Sequence, residues 1–248
     1  MFSGAKVGEE IIHPTQAPPW IAVVHRVQDV LVTRWPGRLF WVQVLNPTAE
    51  THLMDGIRKD AGYTRTCGVR ILEELPVANL FGENGDGICQ ILEYTRRLTE
   101  EQVDQLSGYD LSASDQIYDQ VWRKCSAPQI YGGIPEVVAC GTVLKSAFTD
   151  GKYSSPIGEG LSVVYALFHA RAKELAGDAA FEIDERDEDD DDEEDDGVSL
   201  LPKWRQACDA LLHAAMSYAP DPLLTAPEKS LLRKPVEDVF GQQESDRK

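Results

Sequence analysis

Cations are in short supply in this chain, with 24 Lys and Arg against 42 Asp and Glu among 248 residues. That shortage excludes broad attraction to nucleic acid or to anionic membranes, because affinity for phosphate is supplied by Lys and Arg. Cysteines number five, at 67, 89, 125, 140 and 208, and none stands in a CxxC pair. Neither a disulfide framework nor a zinc knuckle is built that way. Reduced thiols in the cytoplasm are the expectation. No uninterrupted apolar run approaches the roughly 18 residues of a spanning helix. The opening MFSGAKVGEEIIHPTQAPPW holds no apolar stretch of signal-peptide length.

Catalytic signatures are missing as well. Gly158-Glu159-Gly160 begins a GxGxxG, but the third glycine would fall at Val163. Gly141-TVL-Lys145-Ser146 matches only the end of a P-loop, with Leu144 where a glycine must let phosphate approach the backbone. FGENGDG, holding Gly82, Gly85 and Gly87, has the wrong order and carries the turn signal Asn84-Gly85. Neither GxSxG nor HExxH occurs. Read as a calcium loop, Asp192, Glu194 and Asp196 begin correctly, but position twelve is Lys203, which would aim an ammonium at the ion. No cofactor and no metal are therefore expected, and the chain is read as non-enzymatic.

What is present is acid, unevenly spread. Residues 182 to 196 hold thirteen carboxylates and Arg186, while 29 acids face 23 bases elsewhere. The net charge of −18 is therefore mostly that of one segment. Composition and self-repulsion predict an extended, mobile surface loop there.

The remainder reads as one α+β domain, 1–248, with 42% hydrophobic residues available for a core. A β-rich part is expected over 1–75, from the Val-, Ile- and Trp-rich 20–46, broken at Trp35-Pro36-Gly37, and from YTRTCGVRIL at 63–72. It predicts one small antiparallel sheet. LFWVQVL alternates imperfectly, as a strand covered on both faces would.

A helical part is expected over 76–181. Gly87–Leu98 is helix-like, Thr99 to Gln102 has capping-box spacing, and Ser114 is expected to cap a helix reaching Lys124. From Pro156, Ile157, Leu161, Val164, Phe168, Ala172 and Leu175 line one stripe that Gly177 stops. The acidic loop follows at 182–198, then C-terminal helices over 199–241. Trp204, Cys208, Leu211, Ala215 and Tyr218 make a second stripe closed by Pro220 and Pro222, and Pro235 is expected to kink or split a last helix.

Candidate site residues follow from charge and from interface chemistry. Asp209 and His213 stand at i and i+4, which predicts an exposed helix pair. His169 reads as a boundary histidine beside the stripe. Most of the tryptophans read as core. Trp35, between Arg34 and Arg38 in an expected turn, is a candidate interface anchor. Asp115 and Asp119, one helical turn apart, are candidate partner contacts, together with Asp187, Glu188, Asp189, Asp190, Asp191, Asp192, Glu193 and Glu194 of the tract.

A carboxylate-rich surface competes for a basic groove that attracts phosphates, and charge complementarity speeds encounter. In that character, carried by DERDEDDDDEEDD and by the negative balance, the chain resembles the immunity proteins of bacterial toxin systems. These include proteins that protect against DNases delivered by contact-dependent or type VI-like secretion. The resemblance rests on no residue-by-residue motif. It implies a cytosolic, non-enzymatic inhibitor in a 1:1 complex with a cognate toxin that has a basic surface. Two alternatives stand beside it. One is an adaptor or chaperone for a secreted effector, and the other a small-molecule enzyme drawing on His25, His169 and His213 with Cys67 or Cys140.

Overall fold

The computed structural model describes residues 4–14, 21–25, 27, 30, 32, 34–45, 63–126, 156–183 and 198–245. The chain gathers into two compact units, Met1–Leu80 and Phe81–Lys248. Small antiparallel sheets in the first and a helical second unit make the fold α+β.

Among the described residues the first unit holds five strands: β1 (Glu10–Ile12), β2 (Ile21–Val24), β3 (Leu39–Val44), β4 (Tyr63–Thr66) and β5 (Gly68–Leu75). Instead of the single sheet expected, the described strands form two, a three-stranded one in the order β1-β5-β3 and the pair β2-β4. The run expected as one strand over 63–72 divides at Cys67. The buried Thr66 hydroxyl donates to the Gly68 carbonyl and accepts the Gly68 N–H, which turns the chain out of the ladder.

Val69 and Ile71 point into the core, while Arg70 on the other face donates to Glu10 and Gln43. β3 is not covered on both faces. Its imperfect alternation comes from a register shift between Trp41 and Val42, a bulge that leaves Trp41 55% exposed. Trp41 is thus not core, whereas Trp204, at 5%, is.

The second unit contains α1 (Gly85–Arg96), α2 (Glu100–Ser107), α3 (Ser112–Ser126), α4 (Pro156–Ala176), α5 (Pro202–Met216) and α6 (Ala226–Ser245). The hairpin β6 (Phe181–Ile183) and β7 (Val198–Leu200) separates α4 from α5. The 4,3 stripe of α4 is buried at Leu161, Val164, Phe168 and Ala172. Gly177, at φ +60°, ends that helix in a conformation that strains any Cβ. The acidic residues 184–196 fall outside the described residues, between strands that pair antiparallel.

α5 is the hub, packing against α1, α2, α3, α4 and α6. Its Ala207, Ala210, Ala214 and Ala215 are fully buried beside Leu211, so helices approach it on nearly every side. Fully burying a residue such as Leu211 contributes about 1.5–3 kcal/mol. Tyr218 follows the helix, and its ring lies over Gly87, where a Cβ would sit 2.0 Å from a ring carbon. α6 runs through Pro235 without dividing. A buried ring at that position packs against the unit, and packing outweighs the missing hydrogen bond.

Candidate functional site

The feature with chemical character lies where α3 crosses α5, within the second unit. Before α3 the Asp110 carboxylate accepts the Ser112 N–H at 3.0 Å and its hydroxyl at 2.6 Å, which fixes the helix start. Ser114 is therefore not a cap. It is 5% exposed inside the first turn, and its hydroxyl donates to the Leu111 carbonyl at 2.8 Å.

His213 of α5, 3% exposed, meets this turn. Its Nδ1 is 3.1 Å from Ser114 Oγ, and its Nε2 is 3.4 Å from Asp115 Oδ1. Tyr118, one turn on, lies over the imidazole with ring centroids 4.8 Å apart and is itself stacked on Trp122. The expectation of an exposed Asp209–His213 pair is corrected here. Helix packing buries the imidazole, and its carboxylate neighbour is Asp115, 98 residues away in sequence rather than four.

Ser114, His213 and Asp115 are the residue types of a nucleophilic triad, but the arrangement is not one. The serine oxygen is buried and committed to its own helix, so it faces no space a substrate could occupy.

Beside the histidine opens a cavity of about 320 Å³, lined by Asp110, Ser112, Asp115, Arg205, Gln206 and Asp209 among others. Burial raises the Asp209 pKa to about 6, and the charge of Asp115 adds to it, while Arg205 opposes. Asp115 is raised in the same way, by burial and by the charges of Asp119 and Asp110. Burial lowers His213 to about 4, against the pull of Asp119.

Arg205 leaves the carboxylates largely uncompensated. Its Nη2 donates to Glu182 at 3.0 Å and to the Leu200 carbonyl at 2.9 Å. Among the described residues, no Lys or Arg forms an ion pair with Asp110, Asp115 or Asp209. Asp209 is half-buried and Asp115 stands more exposed beside it, and raised carboxylates gathered in a cleft are the electrostatic mark of a candidate binding site. Among the described residues, no three His, Cys, Asp or Glu are placed to hold a metal ion.

Of the residues singled out in the sequence, Asp115 and Asp119 lie on α3 at this cavity and beside it. Trp35 belongs to the first unit and is half-buried. The tract positions from Asp187 to Glu194 lie outside the described residues. Asp110 and Arg205 escaped the sequence reading, although the Asp-x-Ser spacing at 110–112 is a turn signal that could have flagged the first. His25 and His169 do not line this cavity. His25 Nε2 is 2.8 Å from Thr64 Oγ1, and His169 stacks between Tyr165 and Phe181. Cys67 is a buried free thiol of the first unit.

No helix among the described residues is long and apolar enough to cross a membrane. Comparison with protein-family models, with curated proteins and with solved structures returned no match.

Proposed function

We propose that this chain is a non-enzymatic cytoplasmic inhibitor. On this reading it binds a cognate toxin in a 1:1 complex, a basic nuclease effector of a contact-dependent or type VI-like secretion system. The observation that carries the reading is the open cavity at α3 and α5, where Asp110, Asp115 and Asp209 lack a Lys or Arg partner among the described residues. A cationic side chain of the partner entering that cavity supplies the missing counter-charge and gives an ion pair part-shielded from salt. The acidic tract supplies long-range attraction, speeding encounter without forming the specific contact.

The test is affinity capture from the native host with the tagged chain at moderate and at high salt. One stoichiometric basic partner is expected, with its nuclease activity lost on binding. Its affinity for the D110N/D115N/D209N variant is expected to be weaker by at least tenfold, about 1.4 kcal/mol. A partner bound with its activity intact, through an unfolded segment, would move the assignment to an adaptor. No partner at either salt would sink both.

A further inference from the structure

Three hydrogen-bonding groups meet at His213, and they do not have enough protons to satisfy one arrangement at every pH. The Ser114 hydroxyl carries one hydrogen, directed at the Leu111 carbonyl at 2.8 Å. With that hydrogen so placed, Ser114 Oγ can only accept from His213 Nδ1, so Nδ1 carries a proton. A neutral ring then presents the bare Nε2 lone pair to Asp115 Oδ1 at 3.4 Å, acceptor against acceptor, unless one further proton lies between them.

When that proton is absent, a second arrangement relieves the clash. The ring carries its hydrogen on Nε2 and donates it to the ionised Asp115, and the Ser114 hydroxyl rotates to donate to Nδ1. The Leu111 carbonyl loses little, because it also accepts the Asp115 backbone N–H at 2.8 Å. We propose that Ser114, His213, Asp115 and Asp209 form a proton switch that sets how firmly α3 is held on α5, with the Ser114 hydroxyl as its rotor.

The groups around the switch all act on one proton equilibrium. From α3 come Asp115, Asp119 and the Tyr118 ring, from the turn before it Asp110, and from α5 Asp209 and Arg205. The buried Cys208 thiol stays protonated, its pKa raised by burial. α6, which also packs on both helices, turns Arg233 and Lys234 to its own Glu237 and Asp238, and α2 pairs Asp104 with Lys203. Arg205 acts on Asp209 from the cavity wall, but its guanidinium is bonded to Glu182 and to the Leu200 carbonyl and forms no ion pair with the carboxylate.

With the proton shared between His213 Nε2 and Asp115, the seam carries less charge. With it lost, Asp115 and Asp209 face the same cavity as two anions, and their repulsion loosens α3. This inference goes beyond the binding reading and needs no partner.

The experiment uses the full chain labelled with ¹⁵N-histidine, its imidazole nitrogens followed from pH 4 to 8, with His213 identified by its disappearance in H213Q. Nδ1 of His213 is expected to lose its proton as pH rises through the window set by His213 and Asp209, about 4 to 6, leaving the Nε2–H tautomer. D115N is expected to abolish that step, D209N to move it to lower pH, and S114A to fix Nε2–H throughout. Amide protection across Tyr118–Trp122, corrected for intrinsic exchange, is expected to fall by at least threefold through the same window in the wild type and to stay level in D209N. One tautomer from pH 4 to 8, a step unchanged in D115N, or α3 protection indifferent to pH would each overturn the switch.

Discussion

Two kinds of carboxylate stand in this molecule, and they differ in what burial has done to them. On open surfaces, Glu74 is paired with Arg38 at 2.6 Å, and Asp238 with Lys234 and the Tyr109 hydroxyl. Both have lowered pKa values because hydrogen-bonded cations favour the charged form. At the seam of α3 and α5, Asp115 and Asp209 are raised, since burial there is not matched by a cation. An acidic chain thus carries its excess charge in two states, one spent on solubility and one held at a disadvantage in a cleft. Function is sought at the second, where the molecule retains an unfavourable arrangement that a ligand would relieve.

The largest expected effect separates these regions by stability. His213→Ala removes a ring that is 3% exposed and packed against Tyr118, leaving a cavity and an unpaired Asp115 at the seam. Its loss is expected to cost about 2–4 kcal/mol, in the range of other large-to-small core changes. Urea unfolding at pH 7 measures it. A cost near zero would mean that the seam is no better packed than the surface, and the comparison would fail.

Much of the second unit was legible in the sequence, and the seam was not. The stripe from Leu161 to Ala172 and the Thr99–Gln102 capping box are local patterns, and local patterns survive folding. In the box, Gln102 N–H donates to Thr99 Oγ1 at 3.3 Å, and Thr99 N–H to Gln102 Oε1 at 2.9 Å. The bulge at Trp41 and the division of 63–72 at Cys67 depend on which strands pair, which periodicity does not encode. His213 shows the limit most sharply. Asp209 stands at helical spacing from it and looked like its partner, but the groups it meets come from Ser114 and Asp115 on a helix about a hundred residues earlier. Ser114 carried the composition of a helix cap, and only the tertiary fold brings its hydroxyl to His213.

The next effect in size is a matter of sign. Asp209 is raised from 3.8 to about 6, so its contribution to stability is full below its ordinary value and is lost as pH rises through about 6. His213 is lowered from 6.5 to about 4, so its contribution is full above its ordinary value and is lost as pH falls through about 4. Between these limits the two slopes oppose, and wild-type stability is expected to be nearly flat. D209N should unmask stability that rises with pH, and H213Q stability that falls. Each slope has a ceiling of about 1.4 kcal/mol per pH unit, and solvent on the open side of the cavity keeps the Asp209 slope below it. Unfolding at pH 4, 5, 6 and 7 reads both. Parallel slopes in the two variants would show that the two groups do not oppose each other.

The smallest effect belongs to the exposed pairs, and its salt dependence is what distinguishes them. Arg38 donates two hydrogen bonds to Glu74, and its guanidinium lies 4.7 Å from the Phe40 ring centroid. Both partners are more than a third exposed, so solvent already does most of what the pair does. Glu74→Gln is expected to shift the unfolding midpoint slightly at low ionic strength. That difference should vanish near 1 M salt, where the screening length is about 3 Å. The D209N difference, set by burial at the seam, is expected to persist under the same salt. If both differences vanished together, Asp209 would be a surface carboxylate like the rest, and the cleft would lose its claim to be a site.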